Sequence, residues 1–122
     1  MKKILLIIVF AFTFVGVKAQ EVSCEDLKNF IEKEGRYYSS ISSYTLNSSW
    51  LYKVTCYSYD MKYYVVAEIK KSEYSYQTKS YVFCGISFSD WYDFSNGTGY
   101  NDKRTYGERF HDYIMDYQCN CY

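Results

Sequence analysis

Trp50-Leu51-Tyr52-Lys53-Val54-Thr55-Cys56-Tyr57-Ser58-Tyr59, followed after Asp60-Met61-Lys62 by Tyr63-Tyr64-Val65-Val66-Ala67-Glu68-Ile69-Lys70, decides the fold. Bulky residues recur at every second position from Trp50 to Tyr59. In the next run Val65, Ala67 and Ile69 oppose Tyr64, Val66, Glu68 and Lys70. A period of two sends successive side chains to opposite faces of a pleated strand, so the stretch predicts two antiparallel strands. The residues between them are few enough for a hairpin. Lys71-Ser72 predicts a second tight reversal into a third strand, Glu73 to Cys84, rich in β-forming residues. Upstream, Tyr37 to Tyr44 is polar and aromatic without a firm period, which fits a loop or an edge strand.

Helical spacing brackets this sheet. Ser23 with Asp26 three residues on reads as a helix start, and Cys24, Leu27, Phe30 and Ile31 then share one side until Gly35 stops the run. After Gly85, Ser89 and Asp90-Trp91-Tyr92-Asp93-Phe94 have the cap and spaced aromatics of a short helix. Asn96-Gly97-Thr98-Gly99 breaks it. Thr105 and Glu108 form a T-x-x-E capping box, followed by Phe110, Tyr113, Ile114 and Tyr117 on one face with Tyr106. The order predicts an α+β fold: an antiparallel β-sheet of three or more strands with two or three helices packed on one face.

Lys2 and Lys3, the apolar run Ile4 to Val15 and Val17-Lys18-Ala19 have the layout of a secretory signal peptide over residues 1–19, with a mature start at Gln20. No later stretch is apolar enough for a membrane span, so the expectation is a secreted or periplasmic product without stable membrane insertion. Removing nineteen of 122 residues leaves 103, enough for a single domain over residues 20–122 with a modest core. The leader takes three of fourteen basic residues, leaving 11 against 14 acidic, about −3. That balance argues against a general nucleic-acid or anionic-membrane binder. All seventeen tyrosines lie beyond the leader and proline is absent. Tyrosine in alternation suits a pleated surface, where the ring covers and the hydroxyl stays wet.

The five cysteines, Cys24, Cys56, Cys84, Cys119 and Cys121, would meet an oxidising compartment after export, where neighbouring thiols couple. An odd number allows at most two bridges in one chain, in fifteen arrangements that sequence alone leaves open. A direct bond between Cys119 and Cys121 is strained, so each is expected to reach elsewhere, one of them to Cys24. Such a link closes nearly the whole chain and stabilises by about 3 to 5 kcal/mol. Cys56 alternates with Val54 and Tyr52 and reads as a buried free thiol, leaving Cys24, Cys84, Cys119 and Cys121 as the disulfide candidates.

Tyr74-Ser75-Tyr76 stands between a serine pair, Ser48-Ser49, leading into a strand that ends Tyr59-Asp60, and a downstream set. That set is the aromatic helix Trp91 to Phe94, the glycine loop Gly97 to Gly99 and the pair Tyr100-Asn101. In this order the residues resemble the KTSC domain, a short module named for the C-terminus of some lysyl-tRNA synthetases. The likeness covers about residues 47–106. The family's Val-Pro after Y-x-Y is replaced here by a run through Tyr81-Val82-Phe83-Cys84, and the leader, first helix and Cys-Asn-Cys tail are additions. The resemblance implies the fold, brings a suggested RNA-binding role and carries over no catalytic residue.

Tyr74 and Tyr76 fall on one face of the expected third strand. With Tyr57, Tyr59 and Tyr64 they would form an aromatic platform for glycans, peptides or unstacked bases, unless the rings pack under the helices. Trp91 joins them as a ligand-binding candidate. Asp90 and Asp93 flank Trp91 and Tyr92 as in a carbohydrate site, yet a spacing of three sets both acids on a similar surface, which a solvated helix start explains more simply. His111 is the sole histidine and lies on the flank of an apolar face, as a partly exposed structural residue does. With Cys119 and Cys121 it would offer soft metal ligands, against which oxidation favours disulfides; no metal or cofactor is implied. The leading expectation is a non-enzymatic binding module for a protein or envelope polymer. A small envelope hydrolase using Asp90, Asp93 or His111 comes second. Third is single-stranded nucleic-acid binding through Lys53, Lys62, Lys70, Lys71 and Lys79.

Overall fold

Tyr59 pairs with Lys62 across a two-residue turn in which Asp60 and Met61 both have positive φ, the backbone of a type I′ hairpin. The computed structural model describes residues 22–122; the expected leader and the start at Gln20 lie outside them. Strands β1 (Arg36–Ile41), β2 (Leu51–Tyr59), β3 (Lys62–Lys70) and β4 (Thr78–Ile86) form one antiparallel sheet in sequence order. Helix α1 (Cys24–Glu34) precedes the sheet, and a single helical turn, α2 (Ser43–Leu46), joins β1 to β2. Helices α3 (Phe88–Asn96) and α4 (Tyr106–Tyr113) follow, then a 3₁₀ turn (Met115–Tyr117). The architecture is α+β, an antiparallel sheet with helices packed on it.

The alternation decides which side is core. Val54 and Cys56 of β2, Val65 and Ala67 of β3 and Phe83 of β4 lie side by side in register and are buried against Trp91, Phe94, Phe110 and Ile114. Phe110 is the hub, edge-on to Trp50, Phe83 and Phe94 at 5.7, 5.2 and 5.6 Å. Burying a side chain of this size contributes about 1.5 to 3 kcal/mol. Gly85 takes φ +68° where β4 shifts register between the pairs Tyr63–Ile86 and Tyr64–Cys84, an extra residue that returns Ile86 to the core side. Gly107 is required for a different reason: a Cβ there would lie 2.7 Å from the Trp50 indole nitrogen.

The one-face expectation holds for α3 and α4, while α1 covers the opposite face. Val66, Val82 and Thr55, out of phase with the main core residues, are buried there, and Ile31 of α1 is buried with them. α1 lies against β2 and β4. Its attachment is covalent: Cys24 bonds to Cys121, and Cys84, on the same face, to Cys119. The two members of the C-x-C tail therefore each reach elsewhere. Cys56 is the free thiol, buried, with its pKa pushed up to about 12 by that burial.

Both longer capping motifs form as read. Ser23 Oγ accepts from the Asp26 amide at 3.0 Å, and the Thr105–Glu108 box closes in both directions. The cap of α3 is Ser87 rather than Ser89; its Oγ accepts from the Asp90 amide, so the helix begins two residues earlier. β1 realises the edge strand. The third strand starts at Thr78 instead of Glu73, because Lys71 to Gln77 closes its own turn. In that turn Lys71 N–H donates to Gln77 O, Ser75 N–H to Ser72 O, and Gln77 N–H to Ser75 Oγ.

Candidate functional site

β1 shifts register between Tyr37 and Ser39, leaving Tyr38 without a partner on β2. A bulge of this kind turns its extra residue onto a neighbouring surface. Here Tyr38 meets the Tyr63 ring at 5.4 Å and the Phe88 ring at 6.4 Å. The Ser87 cap sets the phase of α3 so that Trp91 and Phe94 face the core while Phe88, Tyr92 and Asn96, four residues apart, share the outer side. Phe88 stands 6.2 Å from Tyr63 and 6.1 Å from Tyr92, giving a continuous chain of four rings. Tyr38, Phe88 and Tyr92 keep 44, 49 and 52 % of their surface open, so the chain faces solvent.

Tyr38, Phe88 and Tyr92 border a groove of about 560 Å³ between β1 and α3, with Tyr63 packed behind Tyr38 and Phe88. Its floor is Ile41, Trp91 and Tyr106; its polar lining comes from Ser40, Ser42, Thr45, Ser95 and Asn96. Asn96 Nδ2 donates to Tyr92 O at 3.3 Å and to Ser95 Oγ at 3.0 Å, and Ser40 Oγ shares a hydrogen with Tyr37 at 3.0 Å. No Asp, Glu, Lys or Arg lines this groove.

α3 is held in place from behind by Arg109, whose Nε donates to Phe94 O and Nη1 to Arg104 O, both at 2.8 Å. Its guanidinium lies 4.4 Å from the Tyr106 ring centre, so the buried cation is met by a helix C-terminus and a π face. The loop from Gly97 to Arg104 is organised around Asp102, which accepts from Thr98 N–H and Oγ1 and from the Arg104 backbone and guanidinium. The hydrogen bonds from Arg104 hold the Asp102 carboxyl well below the usual carboxylate range and raise the guanidinium in turn. Arg104 also reaches Asp112 at 2.9 Å and the Tyr113 hydroxyl at 2.9 Å.

A second aromatic hollow, about 480 Å³, opens on the other side of α2. Tyr44, Tyr52, Tyr74 and Tyr76 line it with one cation, Lys70, and one anion, Glu73. Tyr44, Tyr74 and Tyr76 are almost wholly exposed, and Lys70 Nζ donates to Ser48 O at 3.0 Å.

The expected five-tyrosine platform does not assemble, because Tyr74 and Tyr76 belong to the Lys71–Gln77 turn and not to a strand face. Tyr57, Tyr59 and Tyr64 do share a face, the one α1 covers: Tyr59 packs edge-on to Phe30 at 5.1 Å, and burial, with Glu32 nearby, raises the Tyr57 pKa. Trp91 is 3 % exposed and belongs to the core, touching the groove only as floor. The Asp90 carboxylate, beside the Tyr117 hydroxyl, raises that phenol's pKa. His111 sits in a separate shallow depression with Arg104, Glu108 and Asp112. Neither acid nor His111 lines the β1–α3 groove, and Cys119 and Cys121 are both spent in disulfides. Among the described residues no three His, Cys, Asp or Glu side chains gather as a metal site, and no helix is long and apolar enough to cross a membrane. None of the five candidate phosphate-binding lysines lines the β1–α3 groove; Lys70 alone reaches the second hollow.

Sequence reading missed Tyr38, Tyr63, Phe88 and Tyr92 as a group. The spacing Phe88–Tyr92–Asn96 was a usable signal, hidden by placing the cap at Ser89. The Tyr38 bulge had no signal, since it depends on how β1 pairs with β2. Comparison with protein-family models, with curated proteins and with solved structures finds no match.

Proposed function

We propose that this chain is an exported, non-catalytic binding module with a KTSC-like core, which holds a polymer of the cell envelope or its surroundings in the groove between β1 and α3. The observation that carries the reading is the open row of rings Tyr38–Phe88–Tyr92, backed by Tyr63, along a groove whose remaining lining is uncharged and rich in hydroxyl and amide groups. Adjoining exposed rings on a water-soluble surface mark a recognition site, because they gain by covering apolar area while hydroxyls and amides fix orientation. The two disulfides are compatible with an oxidising location, which supports export.

The groove lacks the carboxylate pair a hydrolase needs and the cationic lining that phosphate tracking needs, so binding is the chemistry best supported. Co-sedimentation with insoluble envelope polysaccharide tests it, using protein recovered after export. The protein should pellet with the polymer, and Phe88→Ala/Tyr92→Ala should release it while leaving the melting curve nearly unchanged. Equal pelleting of the double variant would reject the groove.

A further inference from the structure

Ser42 and Thr45 line the β1–α3 groove, while Ser43 and Tyr44, in the same helical turn, line the tyrosine hollow on the far side of α2. We infer that the two hollows are successive parts of one binding track for an uncharged polysaccharide, which crosses α2 from Tyr92, Phe88 and Tyr38 toward Tyr44, Tyr74 and Tyr76. This deepens the proposed reading and rests on it.

Three properties select the occupant. First is charge: the groove has no ionised lining residue, and the hollow has one of each sign. An anionic or cationic ligand would lose water in the groove without gaining a counter-charge, so a neutral one is favoured. Second is the alternation of flat rings with side-chain hydroxyls and an amide. A pyranose ring offers C–H groups on its faces and hydroxyls around its rim, which meet the electron-rich ring faces and the Ser, Thr and Asn groups respectively.

Third is the state of the β1 edge. A peptide docking here would extend the sheet as an added strand, which needs an unbroken row of backbone groups. The Tyr38 bulge interrupts that row within a strand of six residues, Arg36–Ile41. A bulged, short edge resists strand addition while presenting a ring. From Tyr38 to Ser42 the strand direction covers roughly 13 Å, room for more than one sugar unit before α2 is reached.

Isothermal titration with neutral glucose, mannose and N-acetylglucosamine oligomers, from disaccharide to octasaccharide, tests the track. Extended peptides, single-stranded oligonucleotides and charged oligogalacturonate serve as comparison ligands. The expected result is affinity rising roughly tenfold or more as a neutral oligomer becomes long enough to touch both hollows. Tyr44→Ala/Tyr74→Ala/Tyr76→Ala, all at exposed positions, should abolish that gain and leave disaccharide affinity unchanged.

Equal affinity for short and long oligomers, or a triple variant that keeps the gain, would overturn the track and leave the β1–α3 groove standing. Binding of a peptide, oligonucleotide or charged glycan in preference to every neutral oligomer, still lost in Phe88→Ala/Tyr92→Ala, would overturn the polysaccharide and again leave the groove. If no ligand responds to Phe88→Ala/Tyr92→Ala, the track and the groove fall together.

Discussion

Along β4 the outer edge of the sheet is occupied: Gln118 bridges to Phe83, Cys119 N–H donates to Val82 O at 3.0 Å, and the Cys84–Cys119 bond holds the tail there. Along β1 no described segment pairs with the outer edge, and the strand is short and bulged, with the Tyr38 ring turned toward α3. One edge is closed by covalent chemistry. The other is left open and made unattractive to another strand, which is how an edge can face solvent and still be selective. The two sides also answer to different conditions. The β4 side depends on sulfur oxidation, whereas the loop behind α3 depends on the Asp102–Arg104 ion pair, and so on protonation.

The strongest way to break this contrast is to free the closed edge. Cys24→Ala/Cys121→Ala should cost about 4 to 5 kcal/mol and Cys84→Ala/Cys119→Ala about 3 to 4 kcal/mol, following the lengths of the loops released, as read from urea midpoints. If either costs under about 1 kcal/mol, the tail is an ornament on a sheet that closes without it. Acid gives a smaller effect on the other side. The Asp102 carboxyl is depressed in the folded protein, so its contribution is complete above the unfolded value near pH 4 and drains away as pH falls below it. Thermal melts into acid should show that loss, and Asp102→Asn should lower stability at neutral pH and flatten the acid limb; an unchanged limb would remove the ion pair from the account. Smallest is deletion of Tyr38, which leaves the pairs Tyr37–Tyr57 and Ser39–Cys56 consecutive. Loss of two ring contacts should cost about 1 kcal/mol, while ligand affinity falls far more than stability does. A large drop in melting temperature would show that the bulge serves the fold and not the groove.

The hairpin of Trp50 to Lys70, the two longer caps and the separation of Cys119 and Cys121 into different bridges were legible because each rests on local rules: strand period, a side chain reaching three residues, and the strain of joining Cys119 to Cys121. The placing of α1 was not. Val66 and Val82 lie on the outward phase of their strands, and nothing local says whether an outward valine meets water or a helix pinned from the far end of the chain. Tyr74 and Tyr76 were misplaced because alternation continues through Glu73 to Gln77, while Ser72 and Ser75 bend that stretch into a turn by hydrogen bonds that periodicity does not register. Of the candidate site, the richness in exposed tyrosine was visible. The participants were not, since Tyr38 and Phe88 meet only after α3 has folded back onto the sheet.

The Cys24–Cys121 bond also sets the two described ends side by side, with the Cys24 amide donating to Tyr122 O at 2.6 Å and the Tyr122 amide to Val22 O at 3.4 Å. Mechanical tension applied between residues 22 and 122 therefore runs through a single sulfur–sulfur rung and bypasses the strands entirely. The sheet would feel no pull between these two points until that rung is chemically cut.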